Sequence, residues 1–312
     1  MIGGGESEPM KITDMLRFAA ERGEPVFSFE FFPPKNDAGV SGLFETLRAL
    51  RPLAPSFVSV TWGAGGSSRG RTLEMVTRIK RETEIEAMAH LTCVGASRKE
   101  LEEQLAVICD AGITNVLALR GDPPRGQREF IVHPEGLAHA SDLVKLAREV
   151  ADARGVDLCI GAACYPEGHP ETRDLSQDLR HCKLKVEAGA DFLITQLFFN
   201  NRRYFEFVGR ARAAGIDVPI LPGLMPVTNV DQIERFTALC GAHIPAGLSA
   251  ALRARRDDPD AALQLGVAYA ALQSADLLRS GAPGVHFYTL NRSTATRAIL
   301  AALRAQEPWR DG

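Results

Sequence analysis

Eight short β-rich runs alternate with helical segments along almost the whole chain, and that order constrains the fold more than any other feature. The runs are VFSFEFF, FVSVTWG, EAMAHLTC, NVLALRGD, DLCIGAACY, DFLITQLFF, VPILPGL and VHFYTLN. Between them lie segments whose apolar residues recur at helical spacing, among them LFETLRAL, RTLEMVTRIKRE, RKELEEQLAVICDAG and ASDLVKLAREVADARG. Such alternation predicts parallel strands joined by right-handed crossovers. Eight units in 312 residues fit an α/β fold of the (β/α)8 TIM-barrel kind, which takes about 250 residues plus insertions. Helices repeatedly stop at a glycine just before the next strand, as in DAGITNV, ARGVDL, EAGADFL and AAGIDVPI, where glycine supplies the left-handed turn residue. This regular punctuation predicts one barrel domain over residues 10–312, with residues 1–9 a flexible polar arm. An N-terminal helix over ITDMLRFAAER should end at Gly23, and extra helices should lie between strands seven and eight. A doubly wound open sheet is the rival, but GxGxxG is absent after the first strand.

Composition enters mainly through what it excludes. The formal net charge is −3 with no basic block, which argues against a nucleic-acid partner. No apolar run reaches the length of a membrane span, and the start carries no hydrophobic signal region. Six cysteines without a CxxC pair read as reduced thiols, which predicts a cytoplasmic protein.

In a barrel, function sits where strands end. The polar residues there are Glu30, Thr61, His90, the RGD segment from Arg120 to Asp122, Tyr165, His169, Gln196, His286 and Tyr288. Along FSFEFF, alternation puts Ser28 and Glu30 on one face and Phe27, Phe29 and Phe31 on the other. Glu30 should therefore face the barrel axis near the mouth. Desolvation there should raise its pKa, which suits a general acid, although a glutamate held by a structural arginine or lysine is the plainer reading. The RGD segment reads equally as a ligand-approaching turn or a salt-bridged loop. Asp178, His181 and Lys185 share one helical face, which spacing alone assigns to solvent. The three histidines near strand ends raise the question of a metal, but no HxH opens the first strand, and none is expected.

FSFEFFPPK, FVSVTWGAGG, AHLTC, LALRGDPP, YPEGHPE, ITQLFF, PILPGLMPV and HFYTLNR, in this order from residue 27 to 292, closely resemble the flavin-dependent methylenetetrahydrofolate reductases of the short bacterial type. For a chain of 312 residues, the resemblance implies the barrel without the additional regulatory domain of the longer eukaryotic forms. The resemblance implies a barrel binding FAD at the strand mouths. It implies ping-pong reduction of 5,10-methylenetetrahydrofolate to 5-methyltetrahydrofolate by NADH or NADPH, supplying methyl groups for methionine synthesis. Carried over residue by residue, Glu30 corresponds to the general acid and Asp122 to a charge beside flavin and pterin. Gln196, Gln232, Phe236 and Arg292 match folate contacts, and Thr61 and Gln196 match nicotinamide contacts. Trp62, Ala64, His90, Arg120, Gly121, Asp122, Ala140, Tyr165, His169, Asp178 and Lys185 match FAD contacts, which overrides the solvent assignment of the 178–185 face. The chain departs from the family pattern at His139, where a tyrosine is familiar, at His181 in place of an amide, at Leu184 in place of a basic residue and at Trp62 in place of tyrosine. His139 and His181 still align with cofactor positions. The family also tends to assemble, so the resemblance implies a homo-oligomer. A hydrolase or lyase pairing Glu30 with Asp122, and a non-catalytic folate-binding barrel, are the competing readings.

Overall fold

The first strand, β1 (Val26–Phe31), shows how alternation builds the molecule. Phe27, Phe29 and Phe31 are fully buried in the outer core, beneath the surrounding helices, with Phe29 stacked on Phe287 and Phe27 edge-on to Trp309. Ser28 and Glu30 point the other way, as the alternation predicts. The computed structural model describes residues 10–62, 69–122, 130–172, 174–289, 291 and 293–310. The expected N-terminal arm, Ala64 and Arg292 lie outside the described residues.

The other strands are β2 (Phe57–Val60), β3 (Glu86–Thr92), β4 (Asn115–Leu119), β5 (Cys159–Cys164), β6 (Phe192–Thr195), β7 (Ile220–Leu221), β8 (Gly223–Leu224) and β9 (Gly284–Tyr288). Among the described residues these strands pair in parallel, in the order β7-β6-β5-β4-β3-β2-β1-β9-β8. The seventh sequence run, VPILPGL, is therefore two strands, β7 and β8, split at Pro222. Proline has no N–H to give to a ladder. Its first half pairs with β6 and its second half with β9, so the ring is closed by the chain itself at that point. The result is a nearly closed, TIM-like α/β barrel.

Helices α1 (Ile12–Arg22), α2 (Asp37–Leu50), α3 (Arg69–Thr83), α4 (Arg98–Asp110), α5 (Ala140–Arg154), α6 (Leu175–Glu187), α7 (Asn201–Ala213), α8 (Val230–Cys240), α9 (Ala246–Arg253), α10 (Pro259–Arg279) and α11 (Ser293–Gln306) surround it. Helix α1 stops at Gly23, which adopts the left-handed conformation. Helices α8, α9 and α10 fill the interval before the last strand, where extra helices were expected. Among the described residues no helix is long and apolar enough to cross a membrane.

Two layers divide the barrel interior. Toward the strand N-termini, Val26, Phe57, Met88, Leu117, Cys159, Phe192, Ile194 and Leu221 form an apolar plug with Ile12 and Leu16 of α1. Asn115 ties α1 to this end, accepting from Ile12 N at 2.9 Å and donating to Met10 O at 3.1 Å. One inward step further along β1, β2, β3 and β9 the side chains turn polar: Ser28, Ser59, His90 and His286 are all buried. The site therefore rests on a rigid hydrophobic floor.

Helix α10 approaches the loop after β8 more closely than a side chain allows. A Cβ on Gly266 would lie 1.8 Å from the Val227 carbonyl oxygen, whereas one on the exposed Gly209 of α7 would meet nothing within 4 Å. Alanine normally stabilises a helix interior relative to glycine by about 0.5–1 kcal/mol. Gly209→Ala should stabilise by about that amount, and Gly266→Ala should instead destabilise by about 1–3 kcal/mol through overpacking. Urea unfolding of both variants checks this opposition of sign; equal stabilisation would refute the close packing of α10.

Candidate active site

The polar layer at the mouth centres on Glu30. Its Oε2 lies 3.6 Å from His90 Nε2 and 3.6 Å from His286 Nε2, and its side chain retains only 15% exposure. Strand register explains the meeting: Glu30 is aligned with Ser59 on β2 and Tyr288 on β9, and Ser28 with His286. Ser28 Oγ stands 2.8 Å from His286 Nδ1, which turns the other ring nitrogen toward Glu30. The plainer sequence reading, a glutamate neutralised by arginine or lysine, is not what the structure shows; its neighbours are imidazoles.

The expected rise in the Glu30 pKa is also corrected. Burial pushes the carboxyl up, but the close approach of His286 Nε2, with His90 on the other side, outweighs it, and the net direction is down. His90 is pushed down to about 4, chiefly by burial, with Glu30 opposing. Its imidazole is therefore neutral at physiological pH.

Around this cluster, Ser59 Oγ, Thr61 Oγ1, His90 Nε2, Thr92 Oγ1 and His286 Nε2 are buried without a hydrogen-bond partner among the described residues. Buried polar atoms are ordinarily satisfied, so a patch of such groups facing one mouth is shaped for a polar ligand. Ser59 and Thr92 were not among the sequence candidates. Extending the period-two stripe one step from Thr61 and from His90 reaches both.

The RGD segment forms a second group. Gly121 has φ +89°, and a Cβ there would strike Val94 Cγ1 at 2.6 Å. Arg120 makes a two-pronged pair with Glu171 at 2.8 and 2.6 Å and lies over the Phe130 ring at 4.5 Å. Asp122 is exposed at the rim, and its charge, after burial itself, pushes the Tyr165 phenol up. The RGD turn is thus salt-bridged and at the mouth at once. Glu171, inside the quoted PEGHPE segment, is the partner that sequence reasoning left unassigned.

Helix α6 corrects the solvent assignment directly. Asp178 and Lys185 are 4% and 8% exposed. Asp178 accepts from His169 N and from Thr172 Oγ1, holding the loop after β5, and Lys185 Nζ donates to Ala163 O at 2.6 Å at the end of that strand. His169 in turn stands edge-on to Tyr165, with ring centroids 4.7 Å apart. His139, which precedes Ala140 at the start of α5, is exposed and stacks on His181 of α6 with centroids 6.3 Å apart. Two of the chain's departures from the family pattern are therefore one paired feature. Trp62 is buried in the outer core.

Gln196 follows β6 and lines a small cleft with Tyr165, Gly168, Leu197 and Cys240. Gln232 and Phe236 lie one turn apart on α8, both half-buried, with Phe236 packed on the cluster that holds Leu197 and Val227. Glu234 anchors this helix to Arg253 at 2.8 Å and to Arg256. The described sequence candidates other than Trp62 thus gather in four groups on strand ends and on the loops and helices that follow them.

A parallel barrel with a buried carboxylate–imidazole cluster at its C-terminal mouth belongs to the class of barrel enzymes. The family model described as methylenetetrahydrofolate reductase matches residues 15–304. The chain is 40% identical over 285 residues to 5,10-methylenetetrahydrofolate reductase of Escherichia coli (strain K12), covering 91% of this chain and 93% of that one. It is 39% identical over 304 residues to methylenetetrahydrofolate reductase (NADH) 1 of Arabidopsis thaliana, covering 94% of this chain and 51% of the plant protein. The chain therefore spans about half the length of its plant relatives. Among solved structures, an uncharacterized Clostridium thermocellum protein that binds two copies of 5-methyl-5,6,7,8-tetrahydrofolic acid shares the fold, with TM-score 0.61, 17% identity, and coverage of 94% of this chain and 99% of that one. This chain belongs to the methylenetetrahydrofolate reductase family.

The buried His90 has a consequence for stability. Above pH 6.5 the imidazole is neutral in folded and unfolded chains alike, and its contribution is full. Below that, the unfolded chain takes up a proton that folded His90 refuses, so stability falls until pH about 4. Glu30 of β1 and His286 of β9 face the same ring. His90→Gln should flatten the acid-side loss by something on the order of 3 kcal/mol. Denaturant midpoints followed across that window read the slope directly, and an unchanged slope in the variant would refute this placement of the proton.

Proposed function

We propose that this chain reduces 5,10-methylenetetrahydrofolate to 5-methyltetrahydrofolate with NADH or NADPH and bound FAD. The observation that carries the reading is Glu30, a buried carboxylate held between two imidazoles at the mouth of a barrel of this family. The unpartnered Ser59, Thr61, His90 and Thr92 atoms fit a flat heteroaromatic group with several donors and acceptors, as a flavin is. When bound, FAD supplies the hydride relay between nicotinamide and folate.

The chain's own residues do the rest. Thr61, Trp62, Ala64, His90, Arg120, Gly121, Asp122, Ala140, Tyr165 and His169 would hold the cofactor, with His139 and His181 at its edge. Asp178 and Lys185 contribute by fixing the loop after β5. Gln196, Gln232, Phe236 and Arg292 would place the folate, and Thr61 with Gln196 the nicotinamide. Glu30 delivers a proton to the bridging nitrogen of the folate, opening its methylene ring, and Asp122 sets a negative charge where positive charge then develops.

A carboxyl below its ordinary range is ionised at neutral pH, so Glu30 needs a reason to hold a proton. A ligand over the mouth excludes the water that still reaches this side chain, and losing water favours the neutral acid. His286, oriented by Ser28, keeps a ring nitrogen 3.6 Å from that carboxyl. All six cysteines are free, which fits the reducing cytoplasm. Self-association follows from the family resemblance.

The test is spectroscopic. Purified protein should show flavin absorbance or take up FAD, and anaerobic addition of NADH and NADPH in turn should bleach it. Glu30→Gln should lose folate reduction by at least about a hundredfold while keeping flavin reduction by the nicotinamide. Protein that neither carries nor takes up FAD, or a variant that turns over folate normally, would overturn the reading.

A further inference from the structure

The break in the barrel at Pro222 leaves backbone groups of β6 to be satisfied from elsewhere. Leu193 aligns with Ile220 and Ile194 with Leu221. One step further in that register, the Gly223 N–H would fall to the Thr195 carbonyl. It goes instead to the Thr195 hydroxyl, at 2.8 Å. The carbonyl is taken by Tyr288, whose Oη donates to Thr195 O at 2.6 Å.

Gly223 makes that reach possible. A Cβ there would lie 2.2 Å from Thr195 O and 2.6 Å from Tyr288 Oη, clashing with both bonded atoms. The peptide joining Thr195 to Gln196 is consequently held at both ends, its carbonyl by Tyr288 and its N–H by Cys164 O at 2.7 Å. The Gln196 side chain is then folded back so that Oε1 accepts from Leu197 N at 2.8 Å. With the amide oxygen spent, the Nε2 hydrogens are the end offered to the cleft, and no described residue accepts from them. On its other side the Tyr288 ring stands edge-on to His286, at 5.3 Å and 87°.

We propose that Tyr288 is a positioning residue for Gln196: through the Thr195 carbonyl it fixes the amide that meets folate and nicotinamide. The inference rests on the functional reading above, which gives Gln196 those two ligands. Burial and the charge of Glu30 push the Tyr288 phenol well up, so it remains a donor throughout the working range. One phenol thus fixes the geometry of the acid cluster's neighbour β9 and of the amide just after β6 relative to each other.

The experiment is a double-mutant cycle with Tyr288→Phe, Gln196→Ala and both together, in FAD-loaded protein. The readouts are perturbation of the flavin spectrum on titration with 5-methyltetrahydrofolate, and KM against kcat for the folate half-reaction. Loss of one such hydrogen bond corresponds to roughly a five- to tenfold weakening. Tyr288→Phe should weaken folate binding by about that factor with the larger change in KM, and should add nothing once Gln196 is alanine. A purely structural phenol would weaken both backgrounds equally, and that additivity, or no effect in the parent background, overturns the inference alone. Failure of the parent protein to bind folate overturns the functional reading and the inference with it. If Tyr288→Phe does not fold, Gly223→Ala, which breaks the same contact from the other side, should give the same dependence on Gln196, and additivity there overturns it.

Discussion

The carboxylate of Glu30, buried within 3.6 Å of two imidazole nitrogens, is the constraint to which the rest of the mouth answers. Removing an ionised carboxylate from water is costly, and the cost is commonly met with arginine or lysine. Here Glu30 faces His90 and His286 instead, and His90 is neutral at physiological pH. A guanidinium would fix one charge state permanently, whereas imidazoles leave a proton that can move. The strand that carries Glu30 also carries Ser28, the group that orients His286, two residues earlier on the same face. Acid and orienter are therefore set by a single strand's alternation, and the apolar plug beneath them keeps that strand from shifting.

Most of the fold was legible because its signal is local. Eight β-rich runs separated by helices ending in glycine specify a barrel without knowledge of any long-range contact, and all eight runs contain strand in the structure. The alternation of phenylalanines with Ser28 and Glu30 gave the inward face of β1 correctly. The one topological surprise, the splitting of VPILPGL, also has a local cause in Pro222. Its consequence is not local, since it decides which ladder each half joins.

Electrostatics was the part that local reading missed, and for a common reason. The pKa of Glu30 depends on which groups face it from β3 and β9, far away in sequence, and an apolar neighbourhood was an incomplete description of them. Asp178 and Lys185 look like a solvated helical face by spacing, yet that face turns inward onto the β5 loop, where each meets a backbone or hydroxyl group. Arg120 and Glu171 are separated by a helix and a strand in the chain and meet only because consecutive barrel loops share one rim. Charges were visible in the sequence, but their partners were not.

The break at Pro222 ties fold to function most closely. A continuous ladder spends its carbonyls and N–H groups on neighbouring strands and leaves little to adjust. Where the ladder stops, the Thr195 hydroxyl and the Tyr288 phenol substitute for backbone partners. Side-chain bonds of this kind can be set at lengths and angles that a ladder does not permit, which matters at the one strand end that presents an amide to the cleft. Gly223 and Gly266 supply the room on either side of the loop after β8, one for the phenol and one for the approach of α10. The barrel is thus least regular beside Gln196 and α8, and the irregularity follows from replacing backbone hydrogen bonds with side chains that aim a ligand-facing group.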